Sequence, residues 1–256
     1  MHRSIGLVFA LCLSACANEA VATRTARPAA EGPPVRAELV EICENDPAVA
    51  PSCVAHSKTV AFHGCEQIAI AIVGGPGATV SGETLGPGDV LVATGAGVLE
   101  LKSISGATRA VIAIVQQPTC QAATAGAPIT RRVVRASAAP ELVWADGRMR
   151  AHLDVGRDVS PNAYIGRLEG AAPVAEHAHS DSWEILCAVE GAGTFTRDGK
   201  NQRLGAGDIV TVPPGVKHAW NPDPGTNLVA VQIYAPPGPE QRFKALAAAA
   251  LDARAR

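Results

Sequence analysis

The sequence predicts an all-β protein, two similar barrel-like units closed by a short C-terminal helix. Three observations predict it. From residue 58 to about residue 236 the chain is a succession of short apolar, β-branched runs, and 25 Gly and 19 Pro supply turns between them. A stretch of the first half recurs in phase in the second. Only residues 240–256 look helical, with Pro239 at their start and an Ala- and Leu-rich run behind it. With 256 residues, 47% hydrophobic and 18% charged, the chain can bury a substantial core and is not disordered. Twenty-four acidic against 22 basic side chains leave a net charge of −2, so no surface for a polyanion is expected and nucleic acid is excluded as a partner.

The first twenty residues, MHRSIGLVFALCLSACANEA, read as an address. His2 and Arg3 precede an apolar run from Ile5 to Leu13, and small residues follow. The run is shorter than the ~20 apolar residues of a membrane-spanning helix, and it suits the core of a secretory signal. Leu13-Ser14-Ala15-Cys16 resembles the bacterial lipobox, in which cleavage precedes a cysteine that takes lipid through its thiol. We expect residues 1–15 to be a signal peptide, and residues 16–37 to be the lipidated Cys16 and a flexible Ala-, Pro-, Thr- and Arg-rich tether. The expected location is the bacterial cell envelope, outer membrane or periplasmic face, with the membrane reached through the lipid anchor alone.

Export to an oxidising compartment changes the reading of the cysteines. Cys43, Cys53, Cys65 and Cys120 form an even set of four, which favours two disulfides. Three connectivities are open; Cys43–Cys53 with Cys65–Cys120 is the expected one, because the first pair closes a Pro-containing loop locally. A zinc site competes, but no CxxC pair is present. Cys187 stands alone in an apolar run and is expected to be a buried free thiol.

Residues 38–125 are read as the first unit, 126–144 as a connection, 145–237 as the second unit and 238–256 as the C-terminal helix. Candidate strands are 68–73, 90–92 and 110–115 in the first half, and 183–189, 193–197, 208–212 and 228–234 in the second. Asp198-Gly199 is a hairpin turn. Leu85-Gly86-Pro87-Gly88-Asp89-Val90-Leu91-Val92 aligns with Leu204-Gly205-Ala206-Gly207-Asp208-Ile209-Val210-Thr211 at an offset of 204 − 85 = 119. The same offset lays 110–115 on 229–234, so a whole unit is repeated rather than one turn.

The chemistry lies in the second unit. His177 and His179 are i and i+2, which on a strand face the same way. Glu184 follows a short Ser-Asp-Ser turn, and His218 follows Pro213-Pro214-Gly215. Three imidazoles and one carboxylate suit a divalent first-row metal, and Mn, Fe, Ni, Co and Zn all accept that set. The spacing Gly170, His177, His179, Glu184, Gly191 with Gly207, Pro213, Gly215, His218, Asn221 resembles the two motifs of the cupin superfamily over about residues 150–235. Gly170 stands one residue further from His177, and Asn221 one earlier, than in the family pattern. The resemblance implies tandem cupin-type barrels (double-stranded β-helix, jelly roll), a bicupin with His177, His179, Glu184 and His218 as metal ligands.

The first half departs from this pattern. At the offset of 119 the four ligands fall on Lys58, Val60, Cys65 and Leu99, so the first unit is expected to be metal-free and structural; His56 and His63 lack a Glu and a late His to complete a set. Tyr164 and Arg167 are candidates for the pocket mouth, Arg167 either holding a substrate carboxylate or covering the sheet with its stem. Trp183 and Trp220 flank ligand positions, and alternation is expected to turn both away from the metal. The resemblance implies an enzyme acting on a small molecule, of dioxygenase, decarboxylase, isomerase or lyase type. The competing reading is a non-catalytic cupin that binds a sugar or small organic acid around a structural metal. A homodimer is consistent with either.

Overall fold

Runs rich in Val, Ile and Ala, each ended by a turn that needs Gly or Pro, form nineteen strands among the residues that the computed structural model describes: 33–44, 56–117 and 127–254. In the first half β1 (Val35–Cys43), β8 (Ala107–Gln116), β3 (Glu66–Gly74) and β6 (Val90–Thr94) lie side by side in that order. Facing them are β2 (Ser57–Phe62), β7 (Gly97–Ser103), β4 (Ala78–Val80) and β5 (Glu83–Leu85). In the second half one sheet runs β12 (Tyr164–Gly170), β19 (Leu228–Ala235), β14 (Trp183–Glu190) and β17 (Ile209–Val212). The other runs β13 (Val174–His177), β18 (His218–Pro222), β15 (Ala192–Arg197) and β16 (Lys200–Gly205). The strand orders of the halves correspond position for position, so the internal repeat is a repeat of an entire jelly-roll sandwich. The Gly-x-Gly-Asp turns are physically alike too: Asp89 accepts from Gly86 N–H at 3.0 Å and Asp208 from Gly205 N–H at 2.8 Å.

Each half closes its own core between two sheets, and the halves share a third. Successive residues of a strand face opposite ways. On β3, Ile68, Ile70 and Ile72 fill the first sandwich, while Ala69, Ala71 and Val73 belong to the shared layer. On β14, Leu186 and Ala188 face inward, while Ile185, Cys187 and Val189 meet the first half. Strands buried on both faces explain the unbroken apolar runs in the sequence. Polar links cross the same boundary, among them Gln67 Nε2 to Ser160 Oγ at 2.5 Å and Arg109 Nη1 to the Val189 carbonyl at 3.1 Å.

Three edges differ from expectation. β1 starts at Val35, inside the expected tether. β9 (Thr130–Val134), inside the expected connection, pairs along β6 as an edge strand of the first sandwich. Its two arginines face solvent, so its sequence lacks the apolar run of an inner strand. β10 (Leu142–Trp144) and β11 (Met149–Val155) widen the second sandwich beyond β12. The C-terminal helix, α1 (Gln241–Arg254), docks on β10, with Phe243 stacked on Trp144 at 5.4 Å between ring centroids.

Cys187 is buried and free, and burial pushes its thiol up to about 12. Cys43 and Cys65 are both disulfide-bonded. They are not bonded to each other. Cys43 lies opposite Ala107 at one end of β8, and Cys65 precedes Glu66, which lies opposite Gln116 at the other end. That separation is roughly 30 Å along the strand, against a Cα limit of about 7 Å for a disulfide. Cys53 and Cys120, like Cys16 and the signal of residues 1–15, lie outside the described residues; Cys43–Cys53 with Cys65–Cys120 remains our proposal.

Gly191, which links β14 to β15, has φ = +82°, and a Cβ there would strike the Asn227 carbonyl. Gly191→Ala is expected to cost about 2 kcal/mol or more through strain and the backbone clash. A urea midpoint equal to the parent's would refute this account.

Candidate metal centre

Strand pairing assembles the site. His177 ends β13 and is the direct antiparallel partner of His218, the first residue of β18. Their rings are 4.2 Å apart. His179 lies just beyond the strand rather than on it, and the loop that carries it is tied down by Gly215 N–H donating to the His179 carbonyl at 2.7 Å. Its ring is 4.9 Å from that of His177 and 5.1 Å from that of His218. Glu184, on β14, is almost wholly buried beneath them. One ligating atom from each of the four lies within 4.8 Å of the others, and among the described residues no second group of this kind occurs.

The hydrogen bonds prepare these side chains as ligands. His177 Nδ1 lies 2.9 Å from the Ala175 carbonyl, and His218 Nδ1 lies 3.0 Å from the Val216 carbonyl. A carbonyl only accepts, so Nδ1 carries the hydrogen and each Nε2 turns a lone pair toward the centre. Glu184 Oε1 accepts from Gln232 Nε2 at 2.6 Å. Its Oε2 is 3.1 Å from His179 Nε2 and 2.8 Å from His218 Nε2. Yet His218 Nε2 is buried without an aligned hydrogen-bond partner. A lone pair and a carboxylate oxygen at that separation repel unless a proton or a metal ion lies between them. The donor set therefore fits a divalent metal.

Charge states agree with the geometry. Burial alone would raise the Glu184 carboxyl, but the adjoining His179 and His218 rings and the hydrogen bond from Gln232 outweigh it and hold the group well below the usual carboxylate range. Burial pushes His177 down to about 4, so it is neutral and ready to ligate near pH 7. Burial opposes protonation of His218, but the adjoining Glu184 carboxylate raises it nonetheless.

Above the cluster is a cavity of about 270 Å³. Leu186, Phe195, Trp220 and Leu228 wall it from within the sandwich, and Met149 and Leu168 from β11 and β12. Trp144, Arg242, Phe243 and Leu246 lie at its outer end.

The structure corrects several sequence readings. Trp183 does turn toward the shared layer, but Trp220 lines the cavity, because it is i+2 from His218 and shares its face. Arg167 is not in the cavity wall; it is ion-paired with Glu169 at 2.8 Å, with both on the opposite face of β12 from Leu168. Tyr164 stacks on Tyr234, which itself lines the cavity and meets the His179 ring at 5.1 Å. The first-half equivalents of the ligands are also shifted. Val60 pairs with Leu99 as His177 pairs with His218. Ile72 and Ala188 exchange the same two backbone bonds with Asp89 and Asp208 and their turns, which puts Ile68 in the place of Glu184. Val60, Phe62, Ile68 and Leu99 thus stand where the ligands would be, all in one apolar core. His56 and His63 are exposed. Gln232 and the outer wall of Trp144, Arg242 and Phe243 were not foreseen; a lone Gln in the apolar run 228–235 was the available signal for the first.

Residues 165–234 match the family model for the cupin domain. Acireductone dioxygenase of Bacillus pumilus (strain SAFR-032) is 34% identical over 64 residues, 23% of this chain and 36% of that protein. Acireductone dioxygenase of Picosynechococcus sp. (strain ATCC 27264 / PCC 7002 / PR-6) is 37% identical over 65 residues, 24% of this chain and 37% of that protein. The chain thus spans little more than a third of the length of these relatives. Among solved structures, oxalate decarboxylase from Bacillus subtilis superposes with a TM-score of 0.53 at 13% identity, over 70% of this chain and 64% of its own. Quercetin 2,3-dioxygenase from Acinetobacter baumannii gives a TM-score of 0.53 at 16% identity, over 72% and 68%. At such identities the likeness shows the fold alone, a tandem pair of cupin-type sandwiches.

Proposed function

We propose that this protein is a metal-dependent enzyme of the cell envelope that acts on a small organic molecule. One observation carries the reading: three imidazoles and a carboxylate converge in an apolar cavity, with His218 Nε2 buried against Glu184 and without an aligned hydrogen bond. His177, His179, Glu184 and His218 would hold Mn, Fe, Ni, Co or Zn. Such an ion supplies Lewis-acid polarisation of a substrate oxygen, with coordination positions left for it if the ion is six-coordinate. Glu184 offsets one unit of its charge, Gln232 fixes the carboxylate, and Leu186, Phe195 and Trp220 keep bulk water from the centre. The relatives named dioxygenases and decarboxylase support oxygenase or carboxy-lyase chemistry above the other cupin classes. Envelope location and lipid anchoring at Cys16 rest on the sequence of residues 1–16.

Elemental analysis of the purified protein beside a His177→Ala/His179→Ala variant tests the reading. We expect about one equivalent of a first-row metal in the parent and less than a tenth of that in the variant. No metal in the parent after incubation with each of the five ions would end the metalloenzyme reading. Bound metal without oxygen uptake or CO₂ release across a panel of small carboxylates would favour the non-catalytic one.

A further inference from the structure

We propose that the C-terminal helix completes the substrate site, and that Arg242 on its first turn binds the carboxylate of a small organic anion whose apolar body occupies the cavity. The proposal deepens the preceding reading by naming the substrate class, and it rests on that reading only in taking this cavity as the substrate site. Apart from the clustered histidines, Arg242 is, among the described residues, the one cationic side chain in the cavity wall. It makes no ion pair or side-chain hydrogen bond among the described residues, whereas Arg36, Arg109, Arg135, Arg150, Arg167 and Arg203 are all ion-paired. The neighbouring Glu240 makes no ion pair with it and turns its oxygens elsewhere: that carboxylate accepts Gly238 N–H at 2.6 Å and Gln241 Nε2 at 3.0 Å.

The helix that carries Arg242 is docked on the second sandwich. Phe243 stacks on Trp144 and tilts against Tyr234 at 6.3 Å, and Ala247 is buried on the same helix. The docked helix thereby places an exposed, unpaired guanidinium at the outer end of a cavity whose inner end carries the Glu184 cluster. Between them the walls are hydrocarbon and aromatic. A ligand that satisfies both ends and the middle has an anionic group, an apolar body of about one ring, and a polar atom for the inner end. Guanidinium pairs with carboxylate through two parallel hydrogen bonds, which gives orientation as well as affinity.

Benzoate and its neutral isostere benzamide are the probes, followed by quenching of tryptophan emission, since Trp144 and Trp220 line the cavity. The parent is expected to bind benzoate about tenfold or more tighter than benzamide, the usual scale for a charge-assisted pair. Arg242→Gln should erase that preference with benzamide affinity unchanged, and Arg242→Lys should restore part of it. In His177→Ala/His179→Ala the preference should persist, which separates failure of this proposal from failure of the metal reading. Loss of the preference in the histidine variant with retention in Arg242→Gln would place the carboxylate at the inner end and overturn the proposal. Equal affinity of the parent for both probes, or no binding of benzoate, would overturn it as well.

Discussion

Glu184→Gln is expected to lower metal affinity at least a hundredfold while leaving the fold intact, a combination that follows from its contacts. The carboxylate accepts from Gln232 on one side and faces the Nε2 atoms of His179 and His218 on the other. A carboxamide of the same shape can keep its oxygen on Gln232 and turn its NH2 toward the His218 lone pair. The carboxamide is then paired on both sides with no cation present. The variant loses the one anionic ligand and directs a donor at the place of the ion, so the loss falls on binding and not on folding. Titration of apoprotein with Mn, Fe, Ni, Co or Zn measures the first effect, and urea melting of the apoprotein the second. Gln232→Leu serves as the companion: it removes only the group that orients the carboxylate, and about ten- to hundredfold of affinity should go with it. Undiminished metal affinity in Glu184→Gln would refute the ligand set.

Much of this was legible in the sequence, for identifiable reasons. Jelly-roll strands buried on both faces leave unbroken apolar runs, and turns at positive φ leave glycines, so the repeated unit around Asp89 and Asp208 could be read directly. The four candidate ligands were readable because a short loop and a strand pairing keep them at near-fixed spacing. What was not legible depends on contacts distant in sequence. The helix α1 is nearly uniform Ala and Leu around Arg242 and Phe243, with nothing in its pattern to say which face docks or on what. β9 carries two arginines because, at the edge of its sheet, its first residues are exposed on both faces, and so it reads as a linker. The first-half equivalents went astray because a fixed offset of 119 ignores the shorter stretch between β3 and β6: Ile72 and Asp89 are 17 residues apart, their counterparts Ala188 and Asp208 are 20 apart. Pairing, not counting, puts Val60 and Ile68 where His177 and Glu184 stand.

The two sandwiches are expected to unfold together, and a substitution in the first should melt the second. Val90, Val111, Ala113 and Val115 of the first half pack in one buried layer with Ile185, Cys187, Val231 and Ile233 of the second. Separating the halves would return more than a dozen such side chains to water. At about 1.5 kcal/mol or more for each large apolar residue, that exceeds the ~5–15 kcal/mol of stability a domain has. Neither half is therefore stable alone. All three tryptophans, Trp144, Trp183 and Trp220, belong to the second half, whereas far-UV circular dichroism reports on both. In urea the two signals should change at one midpoint. Val111 is 1% exposed, and Val111→Ala should move both midpoints down in step, by a loss of about 2 kcal/mol. Val111→Asp puts an unpaired carboxylate in the shared layer and should cost about 4 kcal/mol or more, unfolding the tryptophan-bearing half although the change lies in the other. A tryptophan transition that stayed at the parent's midpoint while the dichroism shifted would show two independent cores. The metal-free half would then be an attachment and not a support for the site.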